Sequence, residues 1–410
     1  MPDVRPPLTP PPPSRSQLGA HVDRDALVEL TRALVAVDTR NPPGNEQAAV
    51  VVARRALEAL GATCTEVERV EGRTSLVARV ATDPHPDATP VLVVNGHLDV
   101  VPINPDGWTR DPFGGELEGD RLYGRGMADM KGGIAAAIEA LHILRRAGVA
   151  PACDVVFHLV ADEERGGALG TAVLVEEGHC EGIDACLVPE PTGLEVCVAE
   201  RGLLVATITT HGTPAHGSNP RNGISAIETA AKVVLALHAG DFGDTHHPLL
   251  GTASCNIGLI DGGSGHNTVA ESCRITADRR LLPGQTYDSA VEALRAKIDT
   301  VGATEPELRY DLDVVTFGEP SDMDPGHPWA AQVAEAIQAA TGVMPGTIGM
   351  PFTTDARFVR NQAGVPAVVC GPGEIGQAHV DDEWVSVDRL IDAAVAYAHL
   401  YASFTRPPAL

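Results

Sequence analysis

The chain has 410 residues, 44% hydrophobic and 21% charged, which is enough to bury a sizeable core and too long for one small module. Thirty Lys+Arg against 55 Asp+Glu leave a net charge of −25, which argues against nucleic acid and anionic membranes as partners, since both need clustered cations. No uncharged run is long enough to span a bilayer, and none of the eight cysteines forms a Cys-x-x-Cys pair, so neither a disulfide scaffold nor a thiolate zinc site is expected.

In chain order, residues 1–20 read as a proline-rich, disordered tail (Pro6, Pro7, Pro10 to Pro13). No secretory signal is read there, and the expected compartment is the cytoplasm. Asp23 or Asp25 caps a helix carrying Leu27, Leu30, Leu34 and Val37. Glu46 to Leu60 is a second helix, ending at Gly61. Thr74 to Val80, Val91 to Asn95 and Asp154 to Ala161 are strands, with a helix from Ile134 to Arg146 between the last two. The continuous apolar runs mark strands buried on both faces, and the rhythm is that of an α/β layer with a mixed, mostly parallel sheet.

Near Arg201 the pattern changes. Leu203–His211, Ala253–Ile260, Glu271–Arg280 and Glu307–Val315 alternate as strands, with helices at Ile224–Leu237 and Tyr287–Thr300. After Pro320 the α/β rhythm returns in Trp329–Thr341, Ala367–Cys370 and Val387–Phe404. The reading is one α/β domain (21–200 and 316–405) interrupted by an α+β domain (201–315).

Chemistry gathers where strand patterns stop, which is where binding sites of α/β sheets form. His97 and Asp99 follow a buried strand; alternate residues of an extended chain face one way, so both can point into one cleft. An ordinary solvated turn would also carry them. Asp129 lies in the glycine-rich turn Tyr123–Gly133, as a ligand or a helix N-cap; the spacing fits neither the dinucleotide fingerprint nor the P-loop. Asp162, Glu163 and Glu164 repel one another and call for a cation, unless they are a solvated acidic loop. Neighbouring residues diverge, so one glutamate can face a metal while the other faces a water as general base. Glu190 follows the strand Ala185–Val188, and His379 precedes the last helix. Two histidines and several carboxylates without thiolate suit a hydrolytic zinc, cobalt or manganese site. Two ions about 3.5–4 Å apart, sharing one carboxylate, leave room for a water.

Taken in order, Gly-His-x-Asp, Gly-Arg-Gly-x-x-Asp-Met-Lys-Gly-Gly, Asp-Glu-Glu, Glu-Pro-Thr and Ala-His-x-x-x-Glu resemble the motifs of the dinuclear zinc amidohydrolases grouped with acetylornithine deacetylase, succinyl-diaminopimelate desuccinylase, aminoacylase and glutamate carboxypeptidase. The resemblance runs from about Asp25 to Phe404 and implies a zinc-peptidase-like catalytic domain with an inserted lid and dimerisation domain. It implies two divalent ions, zinc first and cobalt or manganese next. His97 and Glu190 would hold one, Glu164 and His379 the other, with Asp129 bridging. It gives Asp99 the support of His97, Glu163 the general-base role, and the Asp129–Met130 peptide a cis form. His216 would stabilise the oxyanion, reaching it from the partner subunit of a homodimer. Asn267, Arg280, Thr354, Asp355, Gly371 and Gly373 would line the substrate pocket, Arg280 as a carboxylate clamp unless it pairs with Asp278.

Met127-Ala128 stands where acetylornithine deacetylases often have Thr-Cys, and Ala270 where relatives often have Pro; Glu190 favours deacylases and carboxypeptidases over aminopeptidases. The implied activity is hydrolysis of an N-acyl amino acid. A dipeptidase or carboxypeptidase of the same superfamily is the nearest alternative, and a catalytically silent binding protein on this scaffold is the alternative of another class.

Overall fold

The structure is a computed structural model describing residues 15–82, 89–243 and 245–410. It divides into two compact units: Met1–Val198 with Met323–Thr347 and Phe358–Leu410, and Ala199–Asp322 with Ile348–Arg357.

The prolines of the expected tail lie outside the described residues, which begin at Arg15. Arg15–Gly19 is a helical turn whose Leu18 is fully buried. This one apolar side chain ties the segment down, and its carbonyl accepts the N–H of His21. Asp23, not Asp25, then caps the helix Arg24–Val35, accepting the N–H of Ala26 at 3.0 Å. Such a cap contributes about 1 kcal/mol.

The central sheet runs in the order Thr63–Glu68, Thr74–Val80, Asp154–Val160, Val91–His97, Ala185–Pro191, Ala367–Gly371, Val196–Glu200. Its four middle strands are mutually parallel, while the outer pairings are antiparallel. Every residue of Val91–His97, Asp154–Val160 and Ala185–Pro191 is buried, as parallel strands covered on both faces must be. The helix Gly132–Ala147 packs on Val387–Ser403, which packs in turn on Pro328–Thr341. Tyr397 donates its hydroxyl to the Cys370 carbonyl at 2.6 Å, fixing the last helix to the strand Ala367–Gly371. A small sheet pairs Arg121–Tyr123 with Trp384–Ser386.

The second unit is a four-stranded antiparallel sheet ordered Ser254–Gly262, Ser272–Leu281, Gly202–His211, Arg309–Gly318. Gly202–His211 alternates strictly between buried and half-buried residues. Its buried face, with Leu204, Ala206 and Ile208, joins Ala230 and Val233 of the helix Ala226–Leu237 and Leu294 and Ile298 of Tyr287–Gly302 in one core. Each fully buried Leu, Ile or Val there contributes about 1.5–3 kcal/mol. The unit also takes Ile348–Arg357, which the sequence reading grouped with the α/β domain. The buried carboxylate of Glu200 explains this, because it accepts Thr354 N–H at 2.9 Å and Thr354 Oγ1–H at 2.8 Å.

Among the described residues no helix is long and apolar enough to cross a membrane.

Candidate metal centre

Five chain segments of the first unit bring six charged side chains to the carboxyl ends of the parallel strands. His97 and Glu190 sit at the ends of Val91–His97 and Ala185–Pro191. Glu163 and Glu164 open a 3-10 turn after Asp154–Val160. Asp162 makes that turn in the left-handed region at φ 71°, held by Arg73 at 3.2 Å and by Asn41 Nδ2 at 3.1 Å. Asp129 precedes the helix Gly132–Ala147, and the Asp129–Met130 peptide is cis. His379 follows the strand Ala367–Gly371.

Asp129 is the hub. Its Oδ1 lies 3.0 Å from His97 Nε2 and its Oδ2 lies 3.2 Å from His379 Nε2. Glu190 Oε1 is 3.5 Å from the same nitrogen of His97, and Glu164 Oε2 is 3.1 Å from that of His379. One carboxylate thus faces two separate His–Glu pairs. Ligand atoms around a tetrahedral ion with bonds of about 2.0–2.1 Å stand about 3.3 Å apart, so these spacings fit such an ion in each half. Ligand atoms of His97, Glu163 and Glu190 also lie within 4.8 Å of one another, as do those of His97, Asp129 and Glu164, so Glu163 is part of the cluster.

The support of His97 differs in detail from the expected one. Its Nδ1 donates to the backbone carbonyl of Asp99 at 2.8 Å, leaving Nε2 as the neutral ring's acceptor. The Asp99 carboxylate stands 3.7 Å from that nitrogen. It accepts instead the backbone N–H groups of Glu163 at 3.1 Å and Glu164 at 3.2 Å, and Asn41 Nδ2 at 2.9 Å.

Glycines let the ligand segments close up. A Cβ on Gly133 would come within 2.2 Å of the Pro189 carbonyl oxygen, and one on Gly371 would meet that atom at 2.2 Å and the Glu190 oxygen at 2.5 Å. The peptide bearing Glu190 is gripped from two sides. A Cβ on Gly373 would press on Ala128 at 2.9 Å.

Electrostatics show an anionic pocket short of cations. Burial opposes a charge on His97, but the Glu190 and Asp129 carboxylates outweigh it and hold the ring well above its ordinary value. Hydrogen bonds to Asp129 and Glu164 push His379 up to about 10. Burial and the Asp129 charge raise both Glu164 and Glu190. Burial opposes ionisation of Asp129 as well, yet hydrogen bonds from His379 and His97 hold it low. Protons are drawn where divalent ions would compensate the carboxylates better, so the residues fit a metal pair, whose binding displaces those protons. Lys131 is a further buried cation, pulled down to about 8 by burial, with Nζ on Val37 O at 3.1 Å and Thr39 Oγ1 at 2.9 Å.

The remaining expected site residues lie in the second unit, apart from the two glycines. Asn267 O accepts Gly217 N–H at 2.7 Å, which joins the segments of His216 and Asn267. His216 Nδ1 meets Ser218 Oγ at 2.7 Å. Thr354 is held by Glu200, and Asp355 is buried beside it. Arg280 pairs with Asp278 through Nε at 2.9 Å and Nη2 at 3.1 Å. The sequence reading carried Glu383 as the last residue of Ala-His-x-x-x-Glu without giving it a role; it is a buried carboxylate behind Asp129.

An open α/β sheet with two histidines and four carboxylates at its strand ends defines a metal-dependent hydrolase. Residues 93–403 match the profile of Peptidase family M20/M25/M40, and the chain belongs to that family. It is 30% identical over 390 residues to a succinyl-diaminopimelate desuccinylase of Roseobacter denitrificans, covering 92% of this chain and 98% of that one. It is 30% identical over 318 residues to an acetylornithine deacetylase of Edwardsiella ictaluri, covering 76% and 80% of the two chains. The crystal structure of aminopeptidase PepT from Bacillus cereus has the same fold, with a TM-score of 0.78 at 21% identity over 93% of this chain and 99% of that one.

Proposed function

We propose that this protein is a two-metal amidohydrolase that cleaves the amide bond of an N-acyl amino acid, releasing the acyl carboxylate and the free amino acid. The observation that carries the reading is Asp129, whose two oxygens face two His–Glu pairs at 3.0 and 3.2 Å. His97 and Glu190 would hold one ion, His379 and Glu164 the other, and Asp129 both. Zinc suits these donors first, cobalt or manganese next. Bound there, two such ions would polarise the scissile carbonyl and acidify the attacking water.

Glu163 takes a proton from the attacking water as its oxygen bonds to the acyl carbon. It delivers that proton to the nitrogen as the C–N bond breaks, so the amine leaves neutral. Asp99 sets the direction of Glu163 through the amide it accepts. His216 stabilises the oxyanion. The family resemblance is what supports Asn267, Arg280, Thr354, Asp355, Gly371 and Gly373 as substrate-contacting residues. Arg280 spends Nε and Nη2 on Asp278, which favours the ion-pair reading of this residue over the clamp and leaves Nη1 as its free nitrogen for a substrate carboxylate.

The working form is a homodimer that supplies His216 from the second copy. The edge strand Ser254–Gly262, largely exposed, supports this. The compartment is cytoplasmic, in keeping with eight free cysteines.

The test is hydrolysis of N-acetyl, N-succinyl and N-formyl amino acids and dipeptides by the zinc- or cobalt-loaded protein, with the freed amine read by mass spectrometry. Release from one N-acyl series is expected. Preference for dipeptides would move the activity to peptidase, and a protein that takes up no metal would end the two-metal reading.

A further inference from the structure

We propose that Glu383 is the positioning residue that sets the spacing of Asp129 and His379, and so builds the second metal position. The inference rests on the two-metal reading above. Glu383 is fully buried, and both of its ends are engaged. Its Oε1 accepts three backbone N–H groups, from Gly126 at 3.0 Å, Ala128 at 2.9 Å and Asp129 at 3.2 Å. Its Oε2 takes Arg125 Nη1 at 2.7 Å, and its own carbonyl accepts Gly124 N–H at 2.8 Å.

Clustered N–H groups of a turn form a concavity that binds an anion. Here the anion belongs to the protein. It comes from the loop that carries His379 four residues earlier, and it fills the turn that carries Asp129. The next residue, Trp384, pairs with Tyr123, which locks the two segments in register. Arg125, whose guanidinium also lies 5.2 Å from the centre of the Trp108 ring, offsets the carboxylate that Glu383 brings close behind Asp129.

The two metal positions depend on this clamp unequally. His97 and Glu190 are seated on sheet strands. His379 sits in a loop at a positive φ of 62° with its side chain 56% exposed, and Glu164 in a 3-10 turn. Loss of the clamp loosens Asp129, which both positions share, and His379 as well, so it should weaken the His379–Glu164 position more than the other.

The experiment is a stepwise zinc titration of the apo-protein, with hydrogen exchange of the amides of Gly126, Ala128 and Asp129 measured before metal is added. Wild type is compared with Glu383→Ala, Glu383→Asp and Glu383→Gln. Glutamine keeps an acceptor oxygen at the right reach, whereas aspartate keeps the charge one methylene short. Removing an outer-shell support weakens metal affinity by about 10–100-fold. The larger loss is expected for the second ion in the Ala and Asp variants, with faster exchange of the three amides, and the Gln variant, which keeps the acceptor for those amides but turns a donor toward Arg125 Nη1, should fall between them and wild type in both readouts. Better retention by Asp than by Gln would overturn the proposal, as would equal weakening of both ions or unchanged exchange in the Ala variant. If wild type takes up fewer than two ions, the two-metal reading and the metal-building role fail together. The amide exchange still decides whether Glu383 holds the turn.

Discussion

The carboxylate of Asp99 accepts the backbone N–H of Glu163 at 3.1 Å, while His97 takes only the Asp99 carbonyl. The two supports are therefore separable by mutation. Asp99→Asn turns one acceptor oxygen into a donor facing the Glu163–Glu164 amides and leaves the carbonyl on His97 in place. The expected result is a fall in kcat of about 10–100-fold with metal at the His97–Glu190 position retained, since outer-shell changes act on this scale. Metal analysis beside steady-state kinetics checks it. Loss of that ion would show that the side chain, not the carbonyl, holds His97.

Glu163 has a ligand atom within 4.8 Å of those of His97 and Glu190, so it could serve that half as a ligand or as the base beside it, and mutation separates the two. Glu163→Gln should lower kcat by about 10²–10⁴-fold, the range of a lost general base, with two ions still bound. The measurement is turnover on the best amide substrate together with zinc content. Retained turnover would remove Glu163 from the proton-transfer step.

Gly371 stands in close contact with the peptide that carries Glu190, so its role can be separated from substrate binding. In Gly371→Ala the new Cβ would meet the Pro189 oxygen at 2.2 Å, backbone that cannot easily move. A loss of about 1–3 kcal/mol of stability is expected, the usual cost of overpacking. Weaker metal binding at the Glu190 position should accompany it. Gly133→Ala, pressing on the same oxygen at 2.2 Å from the other side, should behave alike. A rise in KM with unchanged melting temperature and metal content would instead assign Gly371 to the substrate.

Much of this cluster was legible in the sequence because its histidine and carboxylate side chains fall at strand ends, where a buried apolar run stops and a His, Glu or Asp begins. His97, Glu164 and Glu190 are all of that kind. What could not be read depends on partners distant in the chain. Arg73 pairs with Glu46 and Asp162, and Lys131 with Thr39; none of these contacts leaves a periodic trace. Asp99 was read as the partner of His97 because alternate residues share a face, whereas its carboxylate goes to a turn more than sixty residues away. Ile348–Arg357 was grouped with the α/β domain because an α/β rhythm surrounds it, while one buried carboxylate, Glu200, holds its Thr354 in the second unit.

His158 makes stability depend on pH. It is fully buried on the strand Asp154–Val160, neither ring nitrogen has a hydrogen-bond partner, and burial pulls it down to about 3. The unfolded chain takes up this proton near pH 6.5, whereas the folded one resists to about 3. The neutral ring's contribution is thus full above pH 6.5 and is lost as pH falls through that window. A shift of this size corresponds to about 4–5 kcal/mol at its lower end. His158→Leu should flatten the pH dependence between 6.5 and 4.5, with the difference from wild type growing as pH falls. Parallel stability curves in denaturant would contradict this account.

The edge strand Ser254–Gly262 exposes Leu259 at 68% and Ile260 at 57%, and the helix Ala226–Leu237 exposes Leu235 at 82%. An uncovered edge with apolar residues is a liability unless a partner pairs with it. A second copy can do so by continuing the antiparallel sheet across a two-fold axis, which makes the interface self-complementary. Leu259→Lys with Leu235→Glu should leave the fold intact, because both side chains face solvent in the single chain. At an interface centre such changes cost about 2 kcal/mol or more, roughly 30-fold in the dimer Kd. Sedimentation velocity should show dimer in wild type and monomer in the variant. If His216 acts from the second copy, the monomer should keep both ions and lose kcat. A fully active monomer would show that each chain completes its own site.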